Sequence, residues 1–283
     1  MTTSANAEAT QAWDGPLYDR FVKYRHIIVV GLANHGEKAL ALHPSPVGAH
    51  VLDVGCGFGD TTERLAELVG PGGSAHGVDV APRFIEAAHA EVSAPNASFD
   101  VRDVQFDDLG GPYDYVFSRM GVMFFDNPGA AMRNISRSMA PGAQLNVVVW
   151  RVREDNPWMY EAQLVVEQLI GRPAEYDEPT CGPGPFSMAG ADTTSGILVG
   201  AGFTDVTLTR ADIPILIGRD VDEAVDLMMA LGPAGEMVRL WGDRVADRHD
   251  EIRAALRNQL TRLQTDNGVE GMASTWIVSA ISP

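Results

Sequence analysis

Lysine is nearly missing from this chain of 283 residues: only Lys23 and Lys38 occur, and the other cations are arginines. Positive charge is scarce as a whole. Lys and Arg total 21 against 38 Asp and Glu, for a formal net charge of -17, and no basic run interrupts the acidic background. Such a surface repels nucleic acid and anionic membranes, so neither is expected as a partner. Cysteine is limited to Cys56 and Cys181, far apart, with Cys56 inside a glycine run where a disulfide is awkward. Reduced cytoplasmic thiols are the expected state. Long apolar runs are lacking too: "IIVVGLA" (Ile27 to Ala33) is too short to span a bilayer. The opening "MTTSANAEATQA" has neither a basic nor an apolar segment, which argues against a signal peptide and predicts disorder over residues 1–12. No repeat or low-complexity tract is present. The chain reads as soluble and cytoplasmic, with no integral membrane segment.

What is present is a steady alternation of strand and helix patterns. Leu17 to Leu40 carries apolar residues at helical spacing. "HVLDVG", "SAHGVDVA", "ASFDVRDV", "YDYVFSRM" and "AQLNVVVWRV" read as five strands, with "TTERLAELVG", "PRFIEAAHAEV" and "NPGAAMRNISRSMAPG" as helices between them. The third of these helices is expected to stop at Pro141 and Gly142. This order predicts an α/β fold with a doubly wound, mostly parallel sheet. After Trp150 the pattern changes. A helix over 156–170, a Pro/Gly loop over 171–190 containing Cys181, a helix at "TTSGILVGAG" and a strand at "FTDVTLTRADI" precede helices over 220–265 and a closing strand "STWIVSAIS". The expected organisation is an N-terminal helical lid (1–45), an α/β core (46–151), and cap helices interleaved with the final strands (152–283).

In such sheets ligands bind beyond the carboxyl ends of the strands. One stretch there is unusual: "VLDVGCGFGDTTERL", Val51 to Leu65. Gly55, Gly57 and Gly59 allow a sharp strand-to-helix turn and let a ligand lie against bare backbone, near the free N–H groups of the helix. Asp60 and Glu63 fit a capping box for that helix. Asp53, just before the glycines, is expected to point its carboxylate toward the same pocket, where it suits an amino group. Asp79 ends the second strand, 20 residues after Gly59, and can accept hydrogen bonds from two ribose hydroxyls. Asp103, with the backbone of Val104, is complementary to an adenine edge. The adjacent Asp107 and Asp108 have no further ligand cluster, so no metal is expected.

These residues resemble the class I S-adenosylmethionine-dependent methyltransferases. "VLDVGCGFG" is similar to the family's first motif, "GVDVA" to its second, "RDVQFDDL" and "YDYVFSRMGVMFF" to its third and fourth, and "MAPGAQLNVVVW" to its Pro-Gly turn and fifth strand. The likeness covers roughly residues 47–151 and the final strands, and is strongest to the small-molecule branch that includes quinone-biosynthesis methylases. It implies a seven-stranded Rossmann-like sheet and S-adenosylmethionine as cofactor, with S-adenosylhomocysteine as product. By position it implies that Asp53 and the backbone of Gly55, Gly57 and Gly59 hold the methionine moiety, Asp79 and Val80 the ribose, Asp103 and Val104 the adenine, and Ser118 the region near the sulfonium. It also implies a lid in which Tyr18 and Arg25, seven apart on one helical face, close over the cofactor.

The acceptor is less defined. Trp13, Met123, Phe124, Trp150 and Phe186 are the candidate lining of a hydrophobic pocket, which favours a small hydrophobic or aromatic molecule and O-methylation over N or C. Of the seven histidines, His26 on the lid helix is the candidate base. A homodimer is left open. Two other readings stand beside this one. A nicotinamide-dependent oxidoreductase also uses a glycine turn and a later acid, but its spacing is Gly-x-Gly-x-x-Gly, and Asp53 would oppose its pyrophosphate. A Tyr-x-x-x-Lys pair is impossible, because Asp19 and Asn34 stand four before the two lysines. The other reading is a binder that kept the cofactor site without turnover.

Overall fold

The computed structural model describes residues 7–174, 176 and 183–283. Cys181, assigned above to the cap loop, lies outside the described residues. Strands β1 (His50–Val54), β2 (Ser74–Asp79), β3 (Ala97–Val101), β4 (Tyr113–Arg119), β5 (Met139–Trp150), β6 (Thr204–Gly218), the two-residue β7 (Gln264–Thr265) and β8 (Gly268–Ile281) form one sheet. The order is β3-β2-β1-β4-β5-β8-β6, with β7 paired only to β8. Neighbours from β3 through β5 are parallel, and β8 runs antiparallel between β5 and β6. The doubly wound, mostly parallel sheet is therefore observed, with the small β7 added to the seven expected strands.

Helices cover both faces. On one lie α3 (Arg25–Leu42), α4 (Asp60–Val69) and α5 (Pro82–Glu91); on the other lie α6 (Pro128–Ser138) and α8 (Ala191–Gly200). Alternation along the strands sorts the side chains between them. Val51, Tyr115, Phe117 and Val148 pack with Leu40, Leu65 and Val69 of the first layer. Leu52, Val54, Val116, Leu145 and Val147 pack with Met132, Ile135 and Leu198 of the second. Fully burying a side chain such as Leu65 or Ile135 contributes on the order of 1.5–3 kcal/mol.

Three expectations need correction. Residues 7–12 of the stretch expected to be disordered form a short helix, α1 (Ala7–Ala12), and residues 1–6 lie outside the described residues. It is followed by a helical turn, Trp13–Leu17, broken at Gly15, and by α2 (Tyr18–Lys23). The helix after β4 does not run to Pro141. It ends at Ser138, and β5 starts at Met139, paired with Tyr113; Pro141 and Gly142 (φ +77°) sit in the register shift that follows. A bulge admits a proline and a left-handed glycine that a continuous ladder would reject. The strands β6 and β8 are also longer than the sequence suggests, and stay paired from Pro214 and Met272 up to Gly218 and Val269.

The two insertions leave the sheet on the same side. α7 (Pro157–Ile170) follows the carboxyl end of β5; α9 (Val221–Ala230), α10 (Pro233–Trp241) and α11 (His249–Leu260) follow that of β6. α7 packs against α10 and α11, α11 against α9, and α9 against β6. Among the described residues no helix is long and apolar enough to cross a membrane.

Candidate functional site

The carboxyl edge of β1 turns through Gly55, Gly57 and Gly59, all left-handed with φ of +70°, +54° and +83°. The three glycines answer different demands. A Cβ on Gly55 would stand 2.8 Å from the Cα of Gly121, in the loop after β4, and one on Gly59 would meet Phe99 and Val92 at 2.9 Å. Those two are required by neighbouring protein. At Gly57 the nearest atom is a Phe84 ring carbon at 4.0 Å, so this is the position where bare backbone faces space. The turn is anchored by the Gly55 and Cys56 amides, which donate to the Val78 carbonyl of β2 at 2.8 and 3.1 Å.

Asp79, the last residue of β2, is half-buried beside this turn. Its Oδ2 accepts from the Gly57 amide at 3.1 Å and its Oδ1 from the Ala81 amide at 3.0 Å. Burial pushes its carboxyl above the usual range, opposed by these backbone donors. The pair of bonds holds the carboxylate in one orientation at the mouth of the turn, with Val80 half-buried next to it.

Asp53 does not face that mouth. It shares the α4 side of β1 with Val51 and is 1% exposed, and Thr62 Oγ1 donates to its Oδ2 at 2.6 Å. Burial pushes its carboxyl up to about 7, with Thr62 pulling the other way. Asp60 is not part of a capping box. α4 is capped by the left-handed Gly59 without a side-chain bond, and Asp60 pairs with Arg119 at 2.7 Å. Glu63 accepts instead from the Ser93 amide. Ser118, expected near the sulfonium, is fully buried and donates its hydroxyl to the Val54 carbonyl at 2.7 Å, tying β4 to β1. For Asp53 and Ser118, strand alternation sends the side chain to a helix-covered face rather than upward.

Asp103 stands two residues beyond β3. Its Oδ1 accepts from the amide and side chain of Gln105 at 3.0 and 3.1 Å. Val104 is buried, and its carbonyl accepts from Asn134 Nδ2 at 2.9 Å. Asp107 and Asp108 accept the amides of Asp103 and Gly110, which is loop-building work. Among the described residues no three His, Cys, Asp or Glu side chains gather as metal ligands.

The N-terminal segment lies over this edge. Tyr18 and Arg25 do not share one helical face, because Tyr24 (φ -106°, ψ 16°) separates α2 from α3. They converge all the same: the Arg25 guanidinium lies 4.1 Å over the Phe58 ring, and Tyr18 is 6.0 Å from Phe58 and 4.9 Å from Phe84. Trp13 packs edge-on against Phe124 at 4.8 Å and Phe21 at 5.4 Å, and tilts on Phe84 at 6.5 Å. Arg83, at the start of α5, fastens the segment. Its amide and guanidinium donate to Asp14, it pairs with Asp19 at 2.8 Å, and it lies 4.0 Å over the Tyr18 ring. Phe58, Phe84 and Arg83 carried no signal in the sequence beyond their place next to the motifs.

Met123, Trp150 and Phe186 are buried and belong to one cluster, with Phe124 half-buried at its rim. Met123 Sδ accepts the Trp150 amide at 3.3 Å, and the Met123 carbonyl accepts from Gly184 and Ser187. The structure therefore brings these four together at the ends of β4 and β5. His26 stands apart from them. Its Nε2 is 2.9 Å from Glu223 Oε1 of α9, and Arg219 holds that carboxyl down at about 2. This exposed histidine, hydrogen-bonded to Glu223, braces α3 against α9.

A parallel sheet with a reversed strand between its last two neighbours, a glycine turn after β1 and an acid ending β2 define a class I, Rossmann-like methyltransferase fold. The comparison with known families agrees: residues 51–142 match the family described as "Methyltransferase domain". Aklanonic acid methyltransferase of Streptomyces sp. (strain C5) is 32% identical over 128 residues, 41% of this chain and 56% of that protein. YcgJ of Bacillus subtilis superposes with a TM-score of 0.54 at 14% identity, over 89% of this chain and 97% of that one. Phosphoethanolamine N-methyltransferase 2 of Haemonchus contortus, solved with S-adenosyl-L-methionine, gives 0.50 at 15% identity, over 88% and 52%. The chain spans about half or less of the length of the first curated relatives it matches.

Proposed function

We propose that this chain transfers a methyl group from S-adenosylmethionine to an oxygen of a small, hydrophobic or aromatic acceptor. The observation that carries the reading is Asp79, locked onto the Gly57 amide beside the one glycine of the turn that faces space. A fixed carboxylate with lone pairs to spare fits two ribose hydroxyls, and the Cβ-free backbone at Gly57 fits the close passage of the cofactor's chain. The cofactor supplies a methyl carbon on a positively charged sulfur.

The protein's own share is alignment and the exclusion of water. Asp103 and Val104 lie where the adenine is expected, although Val104 contributes backbone only. Tyr18 and Arg25, through Phe58, close the cofactor side, and Trp13 with Phe124 closes the acceptor side. Met123, Trp150 and Phe186 furnish apolar walls for the acceptor. The direct grip expected of Asp53 and Ser118 passes to the backbone they support, because both side chains are spent beneath it. Relatives named as an O-methyltransferase and as a ubiquinone biosynthesis O-methyltransferase favour an oxygen nucleophile.

Calorimetry with S-adenosylmethionine and S-adenosylhomocysteine tests the cofactor. Release of S-adenosylhomocysteine over a panel of phenols, quinones, carboxylic acids and amines tests the reaction. Binding without release anywhere in the panel would favour a non-catalytic binder; affinity for NADH instead would favour the oxidoreductase.

A further inference from the structure

Arg151 follows Trp150 at the carboxyl end of β5. Its backbone amide donates to the Ser274 carbonyl at 3.1 Å, which fixes the base of the side chain. The guanidinium lies 4.3 Å over the Trp276 ring, and Nη2 pairs with Asp155 at 2.7 Å. Trp276 is itself held by a bond from its Nε1 to the Ala189 carbonyl. With 14% of its side chain exposed, the group is thus clamped on one face and at one nitrogen. Its Nε and Nη1 are buried and have no hydrogen-bond partner among the described residues. Buried donors on a cation are seldom left so, because water has been removed and nothing has replaced it.

Nearby arginines are not in this state. Arg153 gives Nη1 to Gln163 and Tyr176, and Arg119 pairs with Asp60. Asp212, another acid near Arg151, is already bound by Ser274 and Arg210. The backbone of Arg151 adjoins the loops that border the glycine turn. Gly121 touches Gly55 of the turn, Met123 two residues later accepts the Trp150 amide, and Arg151 is next in the chain.

We propose that Arg151 reads a carboxylate on the acceptor. This deepens the methyltransferase reading above and rests on it. A guanidinium with one nitrogen engaged still offers donors to a planar oxyanion. Asp155 already shares its charge, and the chain is strongly acidic, so a monoanion is preferred to a dianion such as a phosphate monoester. The Trp276 ring beneath the guanidinium suits an apolar or aromatic body of such an acid. Arg151 is a specificity-determining residue on this account, with no part in proton transfer.

The test uses the whole protein saturated with S-adenosylhomocysteine. Benzoate, 1-naphthoate, octanoate and citrate are titrated by calorimetry beside the neutral amides of the same acids, against wild type, Arg151→Gln and Arg151→Lys. At least one monocarboxylate is expected to bind tenfold or more tightly than its amide. That preference should vanish in Arg151→Gln and persist in weakened form in Arg151→Lys, with the affinity for S-adenosylhomocysteine unchanged in both. Equal binding of every acid and its amide, or a preference that survives Arg151→Gln, overturns the proposal. Failure of wild type to bind S-adenosylhomocysteine would instead overturn the reading beneath it, and the two failures are separately visible.

Discussion

Thr62 Oγ1 donates to Asp53 Oδ2 at 2.6 Å, joining the first turn of α4 to the strand beneath the glycine turn. Burial lifts the Asp53 carboxyl to about 7, and Thr62 is the largest influence pulling it back. In the unfolded chain the group titrates near its ordinary value of 3.8. The folded state therefore holds a proton that the unfolded state gives up, and stability contributed by the protonated acid is lost as pH rises from about 4 to about 7. Chemical denaturation of wild type should show that decline, by up to about 4 kcal/mol, and Asp53→Asn should flatten it. A pH profile identical in the two proteins would contradict the buried assignment. Thr62→Val should move the midpoint of the decline upward and cost about 1–3 kcal/mol at neutral pH, where the carboxylate loses its donor.

The glycines of the turn should separate by function. Gly55→Ala places a Cβ 2.8 Å from Gly121 Cα at φ +70°, and should lower stability by about 1–3 kcal/mol or more. Gly57→Ala meets no protein atom closer than 4.0 Å and carries only the backbone cost of φ +54°, about 1 kcal/mol. Its expected effect falls on the cofactor, with affinity reduced at least tenfold while the thermal midpoint moves little. Calorimetry and thermal melts on the two variants decide the matter.

Asp79→Ala should cost two charge-assisted bonds to the ribose, about 1.5–3 kcal/mol each, hence a hundredfold or greater loss of cofactor affinity. The same change frees the Gly57 and Ala81 amides, so circular dichroism should accompany the titration to establish that the sheet survives. Unaltered affinity would remove Asp79 from the ribose.

Arg83 is the fastening of the N-terminal segment. Its pair with Asp19 is exposed and worth little alone, but its stacking on Tyr18 adds about 0.5–1 kcal/mol. Arg83→Ala is expected to weaken cofactor binding several-fold. Deletion of residues 1–25, which also removes Trp13, Tyr18 and the Arg25 contact with Phe58, should weaken it further. Retained affinity after deletion would separate the segment from the cofactor altogether.

The sheet was legible in the sequence because short strand patterns alternate with helix patterns, and β1 gives way to Gly55 while β2 ends at Asp79. The glycine turn was legible because three left-handed positions cannot be hidden among L-residues. Direction was harder. Their place near strand ends suggests that Asp53 and Ser118 face the ligand. Strand alternation, counted from Val51 and Val116, already sends them to the covered faces, and only the packed helices show what receives them. Pairings such as Asp60 with Arg119 and His26 with Glu223 join residues 59 and 197 apart, which no local pattern encodes. The long ends of β6 and β8 escaped notice because Pro214, Gly268 and Gly271 interrupt the β-branched pattern there. Gly271 is needed where the Trp158 ring presses to within 2.6 Å of a would-be Cβ.

The place of β8 has a consequence for assembly. It is the final strand in chain order, yet it lies between β5 and β6. Until α9, α10 and α11 have been laid down, β6 has no partner, and β5 presents an open edge. The two parts of the sheet are thus sewn together by a strand that follows both of them in the chain, through contacts of high sequence separation that form slowly. A nascent or truncated form would show two raw strand borders at once, and association between copies is the hazard to watch for in its preparation.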